Sequence, residues 1–190
     1  MSNYAGIDWS MSSPGMVIGN TSDPSELLFF GIRQKKKQSS SASNITLLEP
    51  DDSYTCDAER YFKLASRYVN ILVENNVDVV FQEGYAYGAS GNTFNIGECT
   101  GILKLLLWQN NIELRIIQPS EIKKFATGKG NSNKTAMFEA YSKLDHPLDR
   151  LIDDPVTSTK IPSPVNDLVD AYYALLTGLH QTPLSLQLSK

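Results

Sequence analysis

The sequence predicts a mixed α/β protein in which a five-stranded sheet is flanked by helices. Three short apolar segments open the chain and are separated only by turn-forming residues, which indicates antiparallel strands. Two further strand-like segments alternate with stretches of helical periodicity, which is typical of parallel β–α units. The chain has 190 residues, of which 41% are hydrophobic, so it is long enough to bury the core of such a sheet.

The predicted strands are short and rich in β-branched or aromatic residues. They cover residues 3–9, 15–19, 27–32, 77–83 and 112–117. Ser12-Ser13-Pro14-Gly15 forms the turn between the first two strands, and Asp23-Pro24 separates the second from the third. The fourth strand is dense in β-branched residues, which favours a buried central position.

Helices are predicted between and after these strands. They cover residues 57–75, 96–110, 119–125, 133–144 and 164–179. The first helix has an apolar face of helical period, formed by Tyr61, Phe62, Ala65, Tyr68, Val69 and Leu72. At the last helix, Ser163 is expected to be the N-cap and Pro164 the first helical residue.

The remaining segments are expected to be loops of a single domain that spans residues 1–190, because the chain shows no internal repeat and no second hydrophobic core. Segment 34–54 is rich in Lys, Ser and Asp, and segment 145–164 is rich in Pro. We expect both to be flexible loops and the tail 182–190 to be frayed.

Composition excludes several classes of protein. No stretch approaches the roughly 18 consecutive apolar residues of a membrane span. Met1-Ser2-Asn3-Tyr4 lacks the features of a secretory signal. Cys56 and Cys99 cannot form a disulfide framework and lie outside any CxxC motif. We therefore expect reduced thiols and a cytoplasmic protein.

The charge is acidic overall but unevenly distributed. A net charge of −4 argues against a protein that coats DNA generally. Basic residues nevertheless form two clusters, one of Arg33, Lys35, Lys36 and Lys37 and one of Lys123, Lys124, Lys129 and Lys134. Each cluster is compatible with a polyanion-binding surface and equally with a solvated loop or helix face.

Four acidic residues are candidates for chemistry. Asp8 ends the first strand and Glu83 ends the apolar fourth strand, where a carboxylate is costly unless it faces a site. Asp167 and Asp170 are spaced i, i+3 on a helix whose opposite face is apolar. Separately, three of them have a simpler explanation: an exposed strand end for Asp8 and Glu83, and helix capping for Asp167. Capping explains Asp170 less well, because it lies further into the helix. Together the four acids would repel one another, and hard divalent cations such as Mg²⁺ or Mn²⁺ would be needed to neutralise them.

The order and spacing of these acidic motifs resemble the RuvC family of Holliday-junction resolvases, in the variant encoded by bacteriophages. The resemblance is carried by Gly6-Ile7-Asp8-Trp9-Ser10, Phe81-Gln82-Glu83, residues 119–123, residues 127–134 and Asp167-Leu168-Val169-Asp170-Ala171. It implies the ribonuclease-H-like fold and a nuclease that resolves branched DNA. It also implies hydrolysis with two Mg²⁺ ions, which Mn²⁺ can replace, leaving a 5′-phosphate and a 3′-hydroxyl.

The resemblance also implies roles for individual residues. The family's four metal-binding and catalytic acids fall on Asp8, Glu83, Asp167 and Asp170. The family's lysines that approach the scissile phosphate or the DNA backbone fall on Lys123 and Lys134, of which Lys134 is expected to be catalytic and Lys123 to bind DNA. From the second basic cluster, Lys124 and Lys129 are also expected to bind DNA. An aromatic wedge that helps to open the junction falls on Tyr85, Tyr87 or neither.

The family forms homodimers through the helix that follows the strand acid. Here this is helix 96–110, in which Leu103, Leu106, Leu107 and Trp108 form either a dimer face or an ordinary buried face. The two predicted loops, 34–54 and 145–164, are longer than expected for the family and bear on substrate choice.

Two other functions are compatible with the same residues. The first is a nuclease for flaps, replication forks or structured RNA on the same fold. The second is a catalytically silent nucleic-acid-binding module, which the retention of four mutually repelling acids disfavours.

Overall fold

A computed structural model of the chain describes residues 3–36, 38–84, 93–144, 148 and 161–182. Within these residues, the strands are β1 (Asn3–Asp8), β2 (Gly15–Gly19), β3 (Leu28–Ile32), β4 (Ile45–Leu48), β5 (Val77–Glu83) and β6 (Glu113–Ile117). The α-helices are α1 (Asp57–Glu74), α2 (Thr93–Gln109), α3 (Pro119–Thr127), α4 (Lys134–Tyr141) and α5 (Val165–Gln181). None of these helices combines the length and the apolar composition that crossing a membrane requires.

The strands form one mixed sheet in the order β4-β3-β2-β1-β5-β6. The pairs β1–β2 and β2–β3 are antiparallel, as the sequence predicts, and the pairs β3–β4, β1–β5 and β5–β6 are parallel. All strands except β2 therefore end at the same edge of the sheet. We call it the carboxyl edge, and it brings the ends of β1 and β5 side by side.

The sheet has six strands rather than the predicted five, because β4 lies inside the segment 34–54 that was expected to be a loop. β4 is four residues long and pairs with β3 at the edge of the sheet. Ile45 is its one fully buried residue, and the Asn44 side chain donates to the carbonyl of Leu27. A short edge strand with a single buried residue has no clear hydrophobic pattern, so a polar sequence does not predict it.

Two predicted details of the helices are wrong. Phe62 was assigned to the apolar face of α1, but it is 54% exposed because it lies beside that face rather than within it. Pro164 is the N-cap of α5 rather than its first helical residue, and no side chain caps this helix.

α5 is buried almost all round, whereas the sequence predicted one apolar face. It packs against β1, β2 and β5 on one side and against α3 and α4 on the other. α1 and α2 pack together and cover the opposite face of the sheet with a separate apolar cluster. The acids of α5 thus stand between the sheet and a second layer of helices.

Two glycines allow α5 to approach the sheet closely. A Cβ atom on Gly6 would lie 2.1 Å from the carbonyl oxygen of Ala171, and one on Gly15 would lie 2.3 Å from that of Asp167. Any side chain at either position would therefore push α5 away from the sheet. This close packing sets the first turns of α5 over the end of β1.

We predict that Gly6→Ala lowers the free energy of unfolding by about 1–3 kcal/mol or more, because the added methyl group overlaps backbone atoms of α5. Gly101→Ala is the matched control. A Cβ there has no neighbour within 4 Å, and the change should stabilise α2 by up to about 1 kcal/mol. Urea denaturation of both variants tests this. Equal stability of Gly6→Ala and the wild type would contradict the packing described.

Candidate active site

The carboxyl edge brings Asp8 and Glu83 together from neighbouring strands. Ile7 of β1 pairs with Gln82 of β5, so the two acids that follow lie level at the ends of their strands. Both side chains line a cavity of about 130 Å³ between the sheet edge and the helices. The residues that line this cavity are Asp8, Glu83, Ile122, Lys123, Lys134, Met137 and Asp170.

Asp170 reaches the cavity from α5, whose close packing on β1 brings its acidic side chain to the strand end. One carboxylate oxygen lies 3.6 Å from Nζ of Lys134. The same oxygen lies 3.5 Å from the Asn166 amide nitrogen, at the outer limit of a hydrogen bond. Asp170 thus faces the two strand acids across the cavity.

Asp167 is placed differently from the other three acids. It lies in the first turn of α5, is 8% exposed, and is not among the residues that line the cavity. Its Oδ2 accepts a hydrogen bond of 2.6 Å from the Ser13 hydroxyl, and its Oδ1 accepts one of 3.3 Å from Asn166. The capping explanation is wrong, since both oxygens are bound by side chains.

The pKa of Asp8 is nevertheless affected by all three of the other acids. Burial raises the pKa of Asp8 well above its usual value, and repulsion from Asp170, Asp167 and Glu83 raises it further, while Lys134 opposes the shift. Asp167 thus contributes to the raised pKa of Asp8 although it does not line the cavity.

The other two acids of the cavity show the same pattern. Burial raises the pKa of Glu83, with a further contribution from Asp170, against the opposing charges of Lys123 and Lys134. Burial also raises the pKa of Asp170, to about 6, although the Lys134 ammonium holds it down. The cavity therefore carries more negative charge than its two lysines neutralise.

The two lysines come from helices that the sequence defines clearly. Lys123 lies on α3, which Gln118 and Glu121 cap at its start. Lys134 is the first residue of α4, whose N-cap Asn133 accepts a hydrogen bond from the Ala136 amide. The Lys134 side chain is 68% exposed, so it remains accessible at the mouth of the cavity.

Other predicted nucleic-acid contacts lie outside the cavity. Lys124 and Lys129 are exposed on α3 and on the turn after it. Tyr85 and Tyr87, the candidates for the wedge, lie outside the described residues, as does Lys37 of the first basic cluster. In that cluster, Arg33 forms an ion pair of 3.0 Å with Glu49.

The donor set has the chemistry of a site for a hard divalent cation, because carboxylate oxygens are the ligands that Mg²⁺ and Mn²⁺ prefer. Asp8 supports this fit. It is mostly buried, and among the described residues no hydrogen bond to its carboxylate is found. Within the same part of the chain, however, no three acidic, histidine or cysteine side chains are arranged so that they could hold an ion. The acids surround the cavity without being drawn together.

Sequence reasoning missed the polar residues that support Asp167. Ser13 was interpreted only as part of a turn, and Asn166 only as part of a helix. One feature of the sequence could have drawn attention to Ser13, namely its position five residues after Asp8. Its contact with Asp167 joins residues 154 positions apart, which no local pattern reveals.

Fold and site together define a ribonuclease-H-like α/β protein with an acidic cavity at the carboxyl edge of its sheet. No protein-family model matches the sequence. Its curated relatives include two crossover junction endodeoxyribonucleases called RuvC. That of Brachyspira hyodysenteriae is 43% identical over 44 residues, which make up 23% of this chain and 28% of the relative. That of Chlamydia muridarum is 28% identical over 127 residues, which make up 66% of this chain and 69% of the relative.

Solved structures show the same fold. Thermus thermophilus RuvC aligns with a TM-score of 0.59 and 17% identity over 94% of each chain. T. thermophilus RuvC in complex with a Holliday junction substrate aligns with a TM-score of 0.60 and 15% identity over 93% of this chain and 92% of that one. The chain is thus similar in sequence to RuvC crossover junction endodeoxyribonucleases and shares the fold of T. thermophilus RuvC, which confirms the resemblance and the fold class; the phage origin stays a prediction.

We predict that the unfolding free energy of the metal-free protein falls as pH rises from about 4 to about 7. A carboxyl group whose pKa is higher in the folded than in the unfolded chain binds more protons when folded, so deprotonation disfavours the folded state. The loss of stability begins near pH 4, the pKa of about 4 that a carboxyl group has in the unfolded chain. For Asp170 it is complete above its folded pKa of about 6. Denaturation in EDTA at a series of pH values measures this change in the unfolding free energy.

Asp170→Asn should remove part of this pH dependence and raise stability at about pH 8 by about 1–3 kcal/mol. Asp52→Asn is the control, because Asp52 is exposed and lies outside the cavity. An Asp170→Asn variant that is no more stable than the control would show that the carboxylates do not repel one another as described.

Proposed function

We propose that this chain is a structure-selective DNA endonuclease that resolves Holliday junctions and other branched DNA by two-metal phosphodiester hydrolysis. The observation that carries this proposal is the cavity at the carboxyl edge, which the carboxylates of Asp8, Glu83 and Asp170 line together with Lys123 and Lys134. The homology to RuvC proteins supports the junction as substrate, since those relatives are named for cleavage at crossover junctions.

Asp8, Glu83, Asp167 and Asp170 are the proposed metal ligands. Asp8 is central among them, because its pKa responds to all three of the others. Two Mg²⁺ ions, when bound, would supply Lewis acidity at the scissile phosphate and stabilise the charge that develops on its oxygens. The protein's own contribution is to hold these carboxylates on two strand ends and one helix, where they cannot spread apart.

The lysines of the cavity provide the complementary charge. Lys134 stands at the exposed mouth of the cavity, where its ammonium group is free to exchange Asp170 for a DNA phosphate oxygen. Lys123 would contact the same strand from the other helix. Lys124 and Lys129, exposed on either side of the end of α3, would extend the contact along the backbone. Such contacts position the DNA but do not read its sequence.

We also propose that the protein works as a homodimer through α2. Leu103 and Leu107 belong to an ordinary buried face, one of the two alternatives that the sequence left open, because both are buried in the protein's own core. The exposed apolar side chains of α2 are instead Phe94 at 85%, Leu105 at 52% and Trp108 at 74% exposure. A two-fold dimer would present two cavities to the symmetric strands of a four-way junction, which suits paired cuts.

We predict that Asp8→Asn and Glu83→Gln each reduce Mg²⁺-dependent cleavage of a synthetic four-way junction by at least about a hundredfold, because each removes an anionic metal ligand. Asp52→Asn should retain wild-type activity. Gel analysis of end-labelled junctions measures the rates. Undiminished cleavage by both site variants would overturn the proposed function.

The same assay decides between the substrates that the fold permits. Junction, flap, duplex and structured RNA are compared at equal concentration, and the proposal requires the junction to be cut fastest. Faster cleavage of flaps or RNA would replace the substrate but keep the site. Mg²⁺ binding without cleavage of any substrate would indicate a silent binding module.

We predict that Trp108→Glu produces a monomer, because it places a charge in the apolar patch of α2. Phe125→Glu is the control, since Phe125 is 41% exposed on α3, on the other face of the sheet. Sedimentation velocity measures the mass of each variant. A wild-type monomer, or a Trp108→Glu dimer, would contradict the proposed interface.

A further inference from the structure

We propose that Ser13 is a positioning residue for the Asp167 carboxylate, and that a turn built around the buried side chain of Gln38 holds Ser13 and the start of α5 in place. This inference rests on the proposed function, because it assumes that Asp167 is a metal ligand. It concerns the turn between β1 and β2 and, after β3, Gln34, Lys35 and Gln38, which the site chemistry otherwise leaves without a role.

The first link is the hydrogen bond from Ser13 to Asp167. At 2.6 Å, it has the short length of a hydroxyl–carboxylate bond, which is among the stronger hydrogen bonds in proteins. Ser13 lies on the turn that follows Asp8. Its single hydroxyl proton is donated to Asp167, one of the two acids of α5, so the bond joins this turn to the helix.

The second link fixes the direction of that proton. The Gln34 amide nitrogen donates to the Ser13 oxygen at 3.2 Å and also to the Ile32 carbonyl at 3.1 Å. Because the Ser13 oxygen accepts from Gln34, its own proton is directed to Asp167. The same two bonds set the orientation of the Gln34 amide.

The third link is Gln38, which is 3% exposed. Its Oε1 accepts from the backbone amides of Gln34 at 2.6 Å and Lys35 at 3.2 Å. Its Nε2 donates to the carbonyl of Ser163 at 3.2 Å, one residue before the N-cap of α5. A buried amide with partners at both ends resists displacement, because breaking any of these bonds leaves a polar group unpaired.

Together these contacts connect the exit of β3 to both the start of α5 and the carboxylate it carries. Asn166 binds the second oxygen of Asp167, so neither oxygen is unsupported. Hydrogen-bond partners of this kind orient metal-binding carboxylates, and losing one typically weakens metal binding by about 10–100-fold. The alternative is that Ser13 merely fastens α5 to the sheet, whatever Asp167 binds.

Calorimetric titration with Mn²⁺ alone, on the full chain without DNA, distinguishes the two roles. We expect Ser13→Ala to weaken Mn²⁺ binding by about 10–100-fold and Ser13→Thr, which keeps the hydroxyl, to remain within about threefold of the wild type. In an Asp167→Asn background, Ser13→Ala should cause no further loss, since its effect passes through that carboxylate. Melting in EDTA confirms that each variant is folded.

Gln34→Met is the second variant, because Gln34 is exposed and its loss should leave the fold intact. Gln34→Met should weaken Mn²⁺ binding by about two- to fivefold. If Ser13→Ala does not fold, the Mn²⁺ affinity of Gln34→Met alone tests whether Ser13 positions Asp167. Wild-type affinity in both Ser13→Ala and Gln34→Met would overturn the inference, as would an additive loss in the double variant. If the wild type binds Mn²⁺ and cuts junctions while these variants behave normally, only this inference fails. If the wild type does neither, the proposed function fails.

Discussion

The main physical constraint on this structure is the repulsion between buried carboxylates at one edge of the sheet. Asp8, Glu83 and Asp170 line one cavity, and burial raises the pKa of each. Asp167, outside the cavity, raises the pKa of Asp8 and Asp170 further. Such a group opposes folding, because ionised carboxylates in a poorly solvated space cost free energy. The sheet and α5 must therefore supply enough packing energy to hold these acids in place, and a divalent cation is the natural counter-charge.

The fold meets this requirement with rigid elements rather than loops. Two of the acids end neighbouring parallel strands, so their separation is set by the hydrogen bonds of the sheet. The other two lie on a helix that glycines allow to touch the strands directly. Ser13 and Asn166 then fix Asp167 from both sides. Rigid support of this kind is what a metal centre needs, because a ligand displaced by about 1 Å loses much of its effect.

Much of this arrangement could be predicted from the sequence. Alternating and β-branched segments located β1, β2, β3, β5 and β6, and the ends of β1 and β5 identified Asp8 and Glu83. Local pattern failed where tertiary contacts decide the structure. β4 is a short edge strand in a polar segment. Phe62 lies at the margin of the apolar face of α1, where it is 54% exposed although its neighbour Tyr61 is buried. Ser13 and Gln38 are polar residues whose contacts at α5, with Asp167 and Ser163, span more than a hundred positions, so no spacing rule identifies these contacts.

The most direct test of the central claim is anomalous diffraction from crystals of the full chain grown or soaked with Mn²⁺. Our account predicts two manganese peaks, both bounded by the carboxylates of Asp8, Glu83, Asp167 and Asp170, with these side chains drawn inward around them. Ordered manganese at other acidic residues, such as Asp51 and Asp52, with none between β1, β5 and α5, would contradict it.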